Sequence, residues 1–245
     1  MSEKVLNQIQ EGKGGFFKKY CELFVGKAGF FFFLKYELFT TLFGCLPGAF
    51  GLACRKIFYP SLFKKVGKGV VFGRSLTIRN PQSIEIGDRV ILDDFAVLDA
   101  KGDEDPGIVI GNQVFISRGC IIGCKNGAIQ IGHETTIGPY STLHSVDASH
   151  ISIGDCCVIA GYCYLAGGAN YKFDRTDIPI VKQGWHPGKG ISLGSDVWLG
   201  GSTVIVDGAT VGEGCIIGAN SMVNRDIPEY SIAVGSPAKA VKSRK

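Results

Sequence analysis

From residue 66 onward the chain keeps a six-residue beat, and that beat decides the fold. Aliphatic residues or phenylalanine open units at Val66, Phe72 and Ile78, at Ile86, Leu92 and Leu98, and at Ile110, Ile116 and Ile122. The beat continues at Ile131, Ile137 and Leu143, then at Ile153, Ile159 and Leu165. It ends at Leu193, Leu199, Ile205, Val211, Ile217 and Val223. A small residue stands four places after many of them: Ala96, Cys120, Thr135, Ser141, Cys157, Cys163, Thr203, Ala209, Cys215 and Ser221. Glycine follows the aliphatic residue directly in twelve of the twenty-one units.

Three six-residue sides make one triangular coil of eighteen residues. The aliphatic residue points inward, the small residue fits where the interior narrows near a corner, and glycine is expected to relax the backbone at the turn. Each coil then hydrogen-bonds to the next as parallel sheet, so internal edges are paired. This is a β-helix solenoid. Seven coils start at residues 66, 86, 110, 131, 153, 193 and 211. At about 4.8 Å per coil, seven make a prism roughly 34 Å tall. Four cysteines occupy the small inward slot, so they read as small hydrophobes rather than thiol nucleophiles.

Coil starts are separated by 20, 24, 21, 22, 40 and 18 residues. The single large excess is an inserted loop, residues 168–190, after the third side of the fifth coil. Polar loops that leave a rigid scaffold are where chemistry concentrates.

Charge divides the chain. Residues 1–65 hold ten Lys/Arg and four Asp/Glu, a balance of +6, whereas the remainder holds sixteen and eighteen, a balance of −2. Eleven of the sixteen phenylalanines also precede residue 61. The repeat domain has no net positive charge to offer a nucleic acid, which excludes that partner class. The basic, phenylalanine-rich segment 1–65 is expected to be mostly helical and amphipathic. It reads as an interfacial membrane element, or as a helical cap on the open end of the prism, and the two roles are compatible. Its longest uncharged stretch, 38–54, is too short and broken to span a bilayer. Nine cysteines, an odd number without a CxxC pair or a signal-peptide pattern, point to a reduced cytoplasmic compartment.

Three stretches carry a family resemblance. Residues 193–204 read LGSDVWLGGSTV, residues 217–226 read IGANSMVNRD, and residues 227–239 read IPEYSIAVGSPAK. They resemble the motifs of the hexapeptide-repeat acyltransferases, in the branch of sugar, maltose, galactoside and xenobiotic O-acetyltransferases. The resemblance implies a left-handed parallel β-helix, and a homotrimer with sites between neighbouring prisms. It also implies transfer of acetyl from acetyl-CoA to a hydroxyl or amine. Matched residue by residue, the acetyl-CoA contacts would be Gly201, Ala219, Asn224, Arg225, Lys239 and Lys242. Small residues would let the pantetheine arm approach the backbone, and the cations would meet the nucleotide phosphates.

One departure is informative. The family's loop reads GxNHxFxDxDxPI, and here it reads GGANYKFDRTDIPI from Gly167 to Ile180. Asn170 keeps its place, but Tyr171 fills the slot of the base histidine. A tyrosine, with an ordinary pKa near 10, is a poor base at neutral pH. His144, one coil below Ala166 and the insertion, is the best substitute base; a surface histidine bonded to a loop carbonyl is the bland alternative. His133, beside Glu134, reads as an outward residue of an ordinary repeat, and His150 as part of an inter-coil loop. His186, on the insertion, could serve a neighbouring site or simply be exposed. His144 and His150 have five residues between them, and no third histidine joins them, so no metal is expected.

The expected activity is acetyl-CoA-dependent O-acetylation of a saccharide, with a lipid-linked sugar of surface polysaccharide synthesis as the candidate acceptor. N-acetylation of an amino sugar nucleotide and a non-catalytic scaffold stand as alternatives. The expected location is the cytoplasm, peripheral at the inner face of the cytoplasmic membrane if the N-terminal segment docks there.

Overall fold

The computed structural model describes residues 16–26, 29–102, 104–168 and 170–245. The first fifteen residues of the 1–65 segment, and Lys27, lie outside them, as does the side chain of Phe16.

The repeats wind into a solenoid with three parallel faces. The first face stacks seven strands from Lys65–Val66 to Thr210–Val211, and the third stacks seven from Thr77–Arg79 to Met222–Val223. The second face has nine, from Val71–Phe72 to Ser231–Val234 and finally Lys239–Ser243, which turns back antiparallel on it. The register keeps the six-residue beat aligned: Ile86 faces Ile110, Ile131 faces Ile153, and Leu143 faces Ile122 and Leu165. Every inward aliphatic residue from Ile86 to Val223 is fully or almost fully buried, and so are all ten residues of the small slot. Burial pushes the Cys120 thiol up to about 11, which leaves it an inert filler of the core.

The glycines have a different reason from the expected one. The left-handed corner conformation falls two places after them, and residues such as Arg89, Glu134, Cys156 and Asp196 adopt it at φ of 55–57°. Gly154 is demanded by close approach instead: a Cβ there would lie 2.6 Å from the backbone of Gly194 on the next coil. Side-chain rungs also tie coil to coil at this corner. The Lys68 amide donates to Asp88 Oδ1, the Asp88 amide to Asn112 Oδ1, and the Asn112 amide to His133 Nδ1. The His133 amide then donates to Asp155 Oδ1, and the Asp155 amide to Ser195 Oγ.

Helices cover the open edge of the first coil. α1 (Phe16–Tyr20) runs into a π-turn (Cys21–Val25), followed by α2 (Phe30–Phe43) and α3 (Gly48–Phe58). Buried Arg55 donates from Nε to the Phe72 carbonyl and from Nη1 to the carbonyls of Phe43 and Leu46. The Tyr36 hydroxyl donates to the Ile78 carbonyl at 2.6 Å. The Ser75 and Asn80 amides donate to Gly44 and Phe24 carbonyls. The cap thus satisfies strand groups that the first coil would otherwise leave unpaired. Tyr59, Leu62 and Phe63 pack with Phe72 and seal the core beneath it.

Candidate functional site

The inserted loop leaves the third face after Tyr164–Gly167 and returns to the first face at Ile191–Leu193. Its root is a small antiparallel hairpin that pairs Asn170 with His186 and Tyr171 with Trp185. The Tyr171 and Trp185 rings meet edge to face at 6.3 Å. Asp207, at the next turn of the same corner, holds both roots. Its Oδ1 accepts from the Ser149 hydroxyl (3.0 Å) and the Gly168 and Gly190 amides (both 2.8 Å). Its Oδ2 accepts from Asn170 Nδ2 and the Lys189 amide, both at 2.7 Å. Burial pushes the carboxyl up, but the amides of Lys189, Gly190 and Gly168 and the Ser149 hydroxyl outweigh it, holding the pKa below 3.8. Asp207 is therefore an ionised clamp at neutral pH. Sequence reasoning missed it because an Asp-Gly pair at a corner reads as an ordinary turn. Asn170, expected among the catalytic residues, donates its amide to this clamp.

His144 lies on the third face, paired with Ala166 above and Gly123 below. Its column runs Arg79, Asp99, Gly123, His144, Ala166, Val206. Gly123 leaves a notch, since a Cβ there would meet only the imidazole Cδ2 at 3.8 Å and the Asp99 carbonyl at 4.0 Å. Desolvation lowers the His144 pKa below 6.5; Asp99 pulls it back up and Lys125 pushes it further down. The ring is consequently neutral at pH 7, and the residue is exposed.

The expected acetyl-CoA contacts fall into three places. Gly201 and Ala219 stack on successive coils at the corner between the second and third faces, where the Asn220 amide donates to the Gly201 carbonyl. Asn224 and Arg225 sit at the opposite corner, one coil beyond Asp207. Lys239 and Lys242 are exposed on the terminal antiparallel strand of the second face. Within one chain these groups do not converge. The third face, roughly 15–20 Å across at about 3.3 Å per residue, separates the two corners and carries His144 between them.

The remaining histidines are accounted for differently. His133 accepts an amide proton at Nδ1 as one rung of the first-corner ladder. His150, expected in an inter-coil loop, instead opens the strand His150–Ile153, because its backbone pairs in register with Ala128. His186 sits across the hairpin from Asn170. Among the described residues no group of three His, Cys, Asp or Glu is placed to hold a metal ion.

Residues 190–225 match the family model "Bacterial transferase hexapeptide (six repeats)". Together with the coil geometry, that match makes the chain similar to the hexapeptide-repeat acyltransferases. It is 33% identical over 135 residues to a protein named as a probable acetyltransferase of Mycobacterium tuberculosis, covering 55% of this chain and 44% of that one. It is 40% identical over 106 residues to one named as a probable macrolide acetyltransferase of Lysinibacillus sphaericus, covering 38% of this chain and 59% of that one. The alignments thus span about half of these two relatives. Among solved structures, a single-residue variant of AntD, an N-acyltransferase from Bacillus cereus, superposes with a TM-score of 0.50 and 26% identity. The match covers 75% of this chain and 85% of AntD, whose complex contains dTDP-4-amino-4,6-dideoxyglucose and coenzyme A. The hexapeptide match falls on coils 6 and 7 and takes in Gly201, Ala219, Asn224 and Arg225.

Proposed function

We propose that the protein transfers acetyl from acetyl-CoA to a hydroxyl of a saccharide, working as a homotrimer with sites between neighbouring prisms. The observation that carries this reading is the third face itself. A clamped polar loop stands at one corner, a low-relief glycine-alanine corner at the other, and a neutral histidine lies between. The acetyltransferase relatives support the donor, and AntD, with coenzyme A and an amino sugar nucleotide in its complex, supports a saccharide acceptor.

Gly201 and Ala219 fit a pantetheine arm, because at Gly201 the nearest atom to an added Cβ would be the Gly161 carbonyl oxygen at 3.6 Å. Acetyl-CoA, when bound, supplies the acetyl group. His144 takes the proton as the acceptor oxygen forms its bond to the carbonyl carbon and the thiolate leaves. Tyr171, on the hairpin held by Asp207, orients the acceptor. Arg225, Lys239 and Lys242 offset the nucleotide phosphates of the donor, two of them reaching across from the adjoining prism. The acceptor we infer is lipid-linked and presented at the inner face of the cytoplasmic membrane.

The test is acetyl-CoA consumption by the full chain against a panel of saccharides, followed by alkali treatment of the product. An alkali-labile ester supports the reading. A stable amide moves the reaction to an amino sugar, and failure to bind acetyl-CoA at all makes the protein a scaffold.

A further inference from the structure

The outer side of α2 carries a run of exposed large apolar side chains. Phe30, Phe31, Leu34, Leu38 and Leu42 are all exposed, Phe31 at 86%; Phe30, Leu34, Leu38 and Leu42 follow the i, i+4 spacing of one helical face, and Phe31 precedes Leu34 by three. α3 adds Phe50 at 73% and Ile57 at 69%. The two charges of α2 are both engaged with protein. Lys35 Nζ donates to the Ser61 carbonyl, and Glu37 accepts from the Tyr20 hydroxyl, each at 2.6 Å. The outer face of the helix is therefore uncharged over its whole length. Nor can the face turn inward, because Tyr36 on the opposite side is bonded to the first coil and Arg55 pins the end of α2 to α3. A helix with an apolar outer face as well as an apolar packed face calls for apolar surroundings on both sides, and the protein supplies them on one.

We propose that this face is a docking surface for an anionic phospholipid bilayer, on which α2 and α3 lie flat. Charge favours lipid over a second copy of the chain. Lys18 and Lys19 close α1, exposed Lys56 adjoins Ile57, and residues 1–65 carry +6, which would repel an identical surface and attract acidic headgroups. Among the described residues no helix is long and apolar enough to cross a membrane, so the element lies on the bilayer. The proposal deepens the lipid-linked acceptor inferred above and rests on it for its purpose, but its test involves neither acetyl-CoA nor acceptor, so either can fail alone.

The experiment is co-sedimentation of the full-length protein with phosphatidylcholine vesicles, with and without phosphatidylglycerol. The expected result is binding to the anionic vesicles that weakens at high salt. Phe31→Glu combined with Leu38→Glu should lower vesicle partitioning at least about tenfold while circular dichroism and particle mass stay constant. Phe31→Trp provides a second reading that leaves the surface apolar: its emission should shift to the blue on anionic vesicles and be quenched by brominated acyl chains. Parent protein that ignores anionic vesicles at low salt, or emission from the Phe31→Trp variant that brominated lipid leaves untouched, overturns the proposal. So does a fall in particle mass in the double variant, which would assign the face to self-association.

Discussion

The three faces share one interior and differ outside. Along the first face the outward column reads Lys65, Glu85, Val109, Gln130, Ser152, Ser192, Thr210. Along the second it reads Val71, Ile91, Phe115, Thr136, Val158, Trp198, Ile216, Ile232. The third resembles the second, with Val97, Ile121, Thr142, Tyr164, Val204 and Met222 in register. Core packing asks nothing of these outward positions, so the contrast reports what lies against each face. The first is largely polar, and the second and third are apolar enough to be covered by protein in the homotrimer proposed above. In a threefold assembly of prisms, each subunit would offer its second face to the third face of the next. That arrangement brings the corner of one chain towards the loop of its neighbour.

The largest effect should come from breaking this contrast. Trp198→Glu with Val158→Glu is expected to turn a particle of three times 26.2 kDa into a monomer and to abolish acetyl transfer. The matched pair Gln130→Glu and Ser192→Glu on the first face should change neither. Light scattering with a turnover assay reads both, and a monomer that still turns over acetyl-CoA would remove shared sites from the picture.

Within the third face, His144→Ala is expected to lower kcat by about 10²–10⁴-fold without weakening coenzyme A binding. The pH profile adds a sign. The folded pKa lies below 6.5, so the active neutral ring persists into mildly acidic solution, and activity should fall only as pH drops through that lowered value. The acidic limb should vanish in the variant. Tyr171→Phe should cost less, and Tyr171→His should raise the rate. A dead Tyr171→Phe beside a fully active His144→Ala would reverse the two roles.

Two glycines after inward aliphatics sharpen the comparison in stability. Gly154→Ala forces a Cβ to within 2.6 Å of the next coil and should cost about 1–3 kcal/mol, read as a lower denaturation midpoint. Gly123→Ala meets only ordinary contacts and should leave the midpoint unchanged while filling the notch below His144. Last, Asp207→Asn should raise the acceptor KM about tenfold and expose residues 172–184 to proteases, with kcat nearly unchanged. Because the folded pKa is depressed, the clamp contributes fully above the unfolded value near 3.8 and is lost as pH falls through the folded one.

The inward pattern was legible in the chain because the same demand recurs at every side. Ile137, Leu143 and Leu165 each fill the same kind of space, and Cys163 the same narrow slot. The outward chemistry was not. Gly154 and Gly123 occupy equivalent places in the beat, yet only a register between coils distinguishes a forced contact from an open notch. Asp207 lies 39 residues from Gly168 and 17 from Gly190, so its clamp exists only once the solenoid has closed. The hairpin that pairs Asn170 with His186 joins strand pairs too short to leave a periodic signal. The motifs around Gly201 and Ala219 were recognisable, but not that a whole face separates them from the loop.

The solenoid is also a measuring rod. The cap closes coil 1 and His144 stands on coil 4, so three rises of about 4.8 Å, or roughly 14 Å, separate them along the axis. With the cap resting on a bilayer and the prism upright, a hydroxyl on the first sugar of a lipid carrier would stop short of His144. On the proposed lipid-linked saccharide, that reach would select an acceptor several sugars long, and deleting one coil between residues 86 and 131 should shift the preferred modification site towards the lipid by about one sugar.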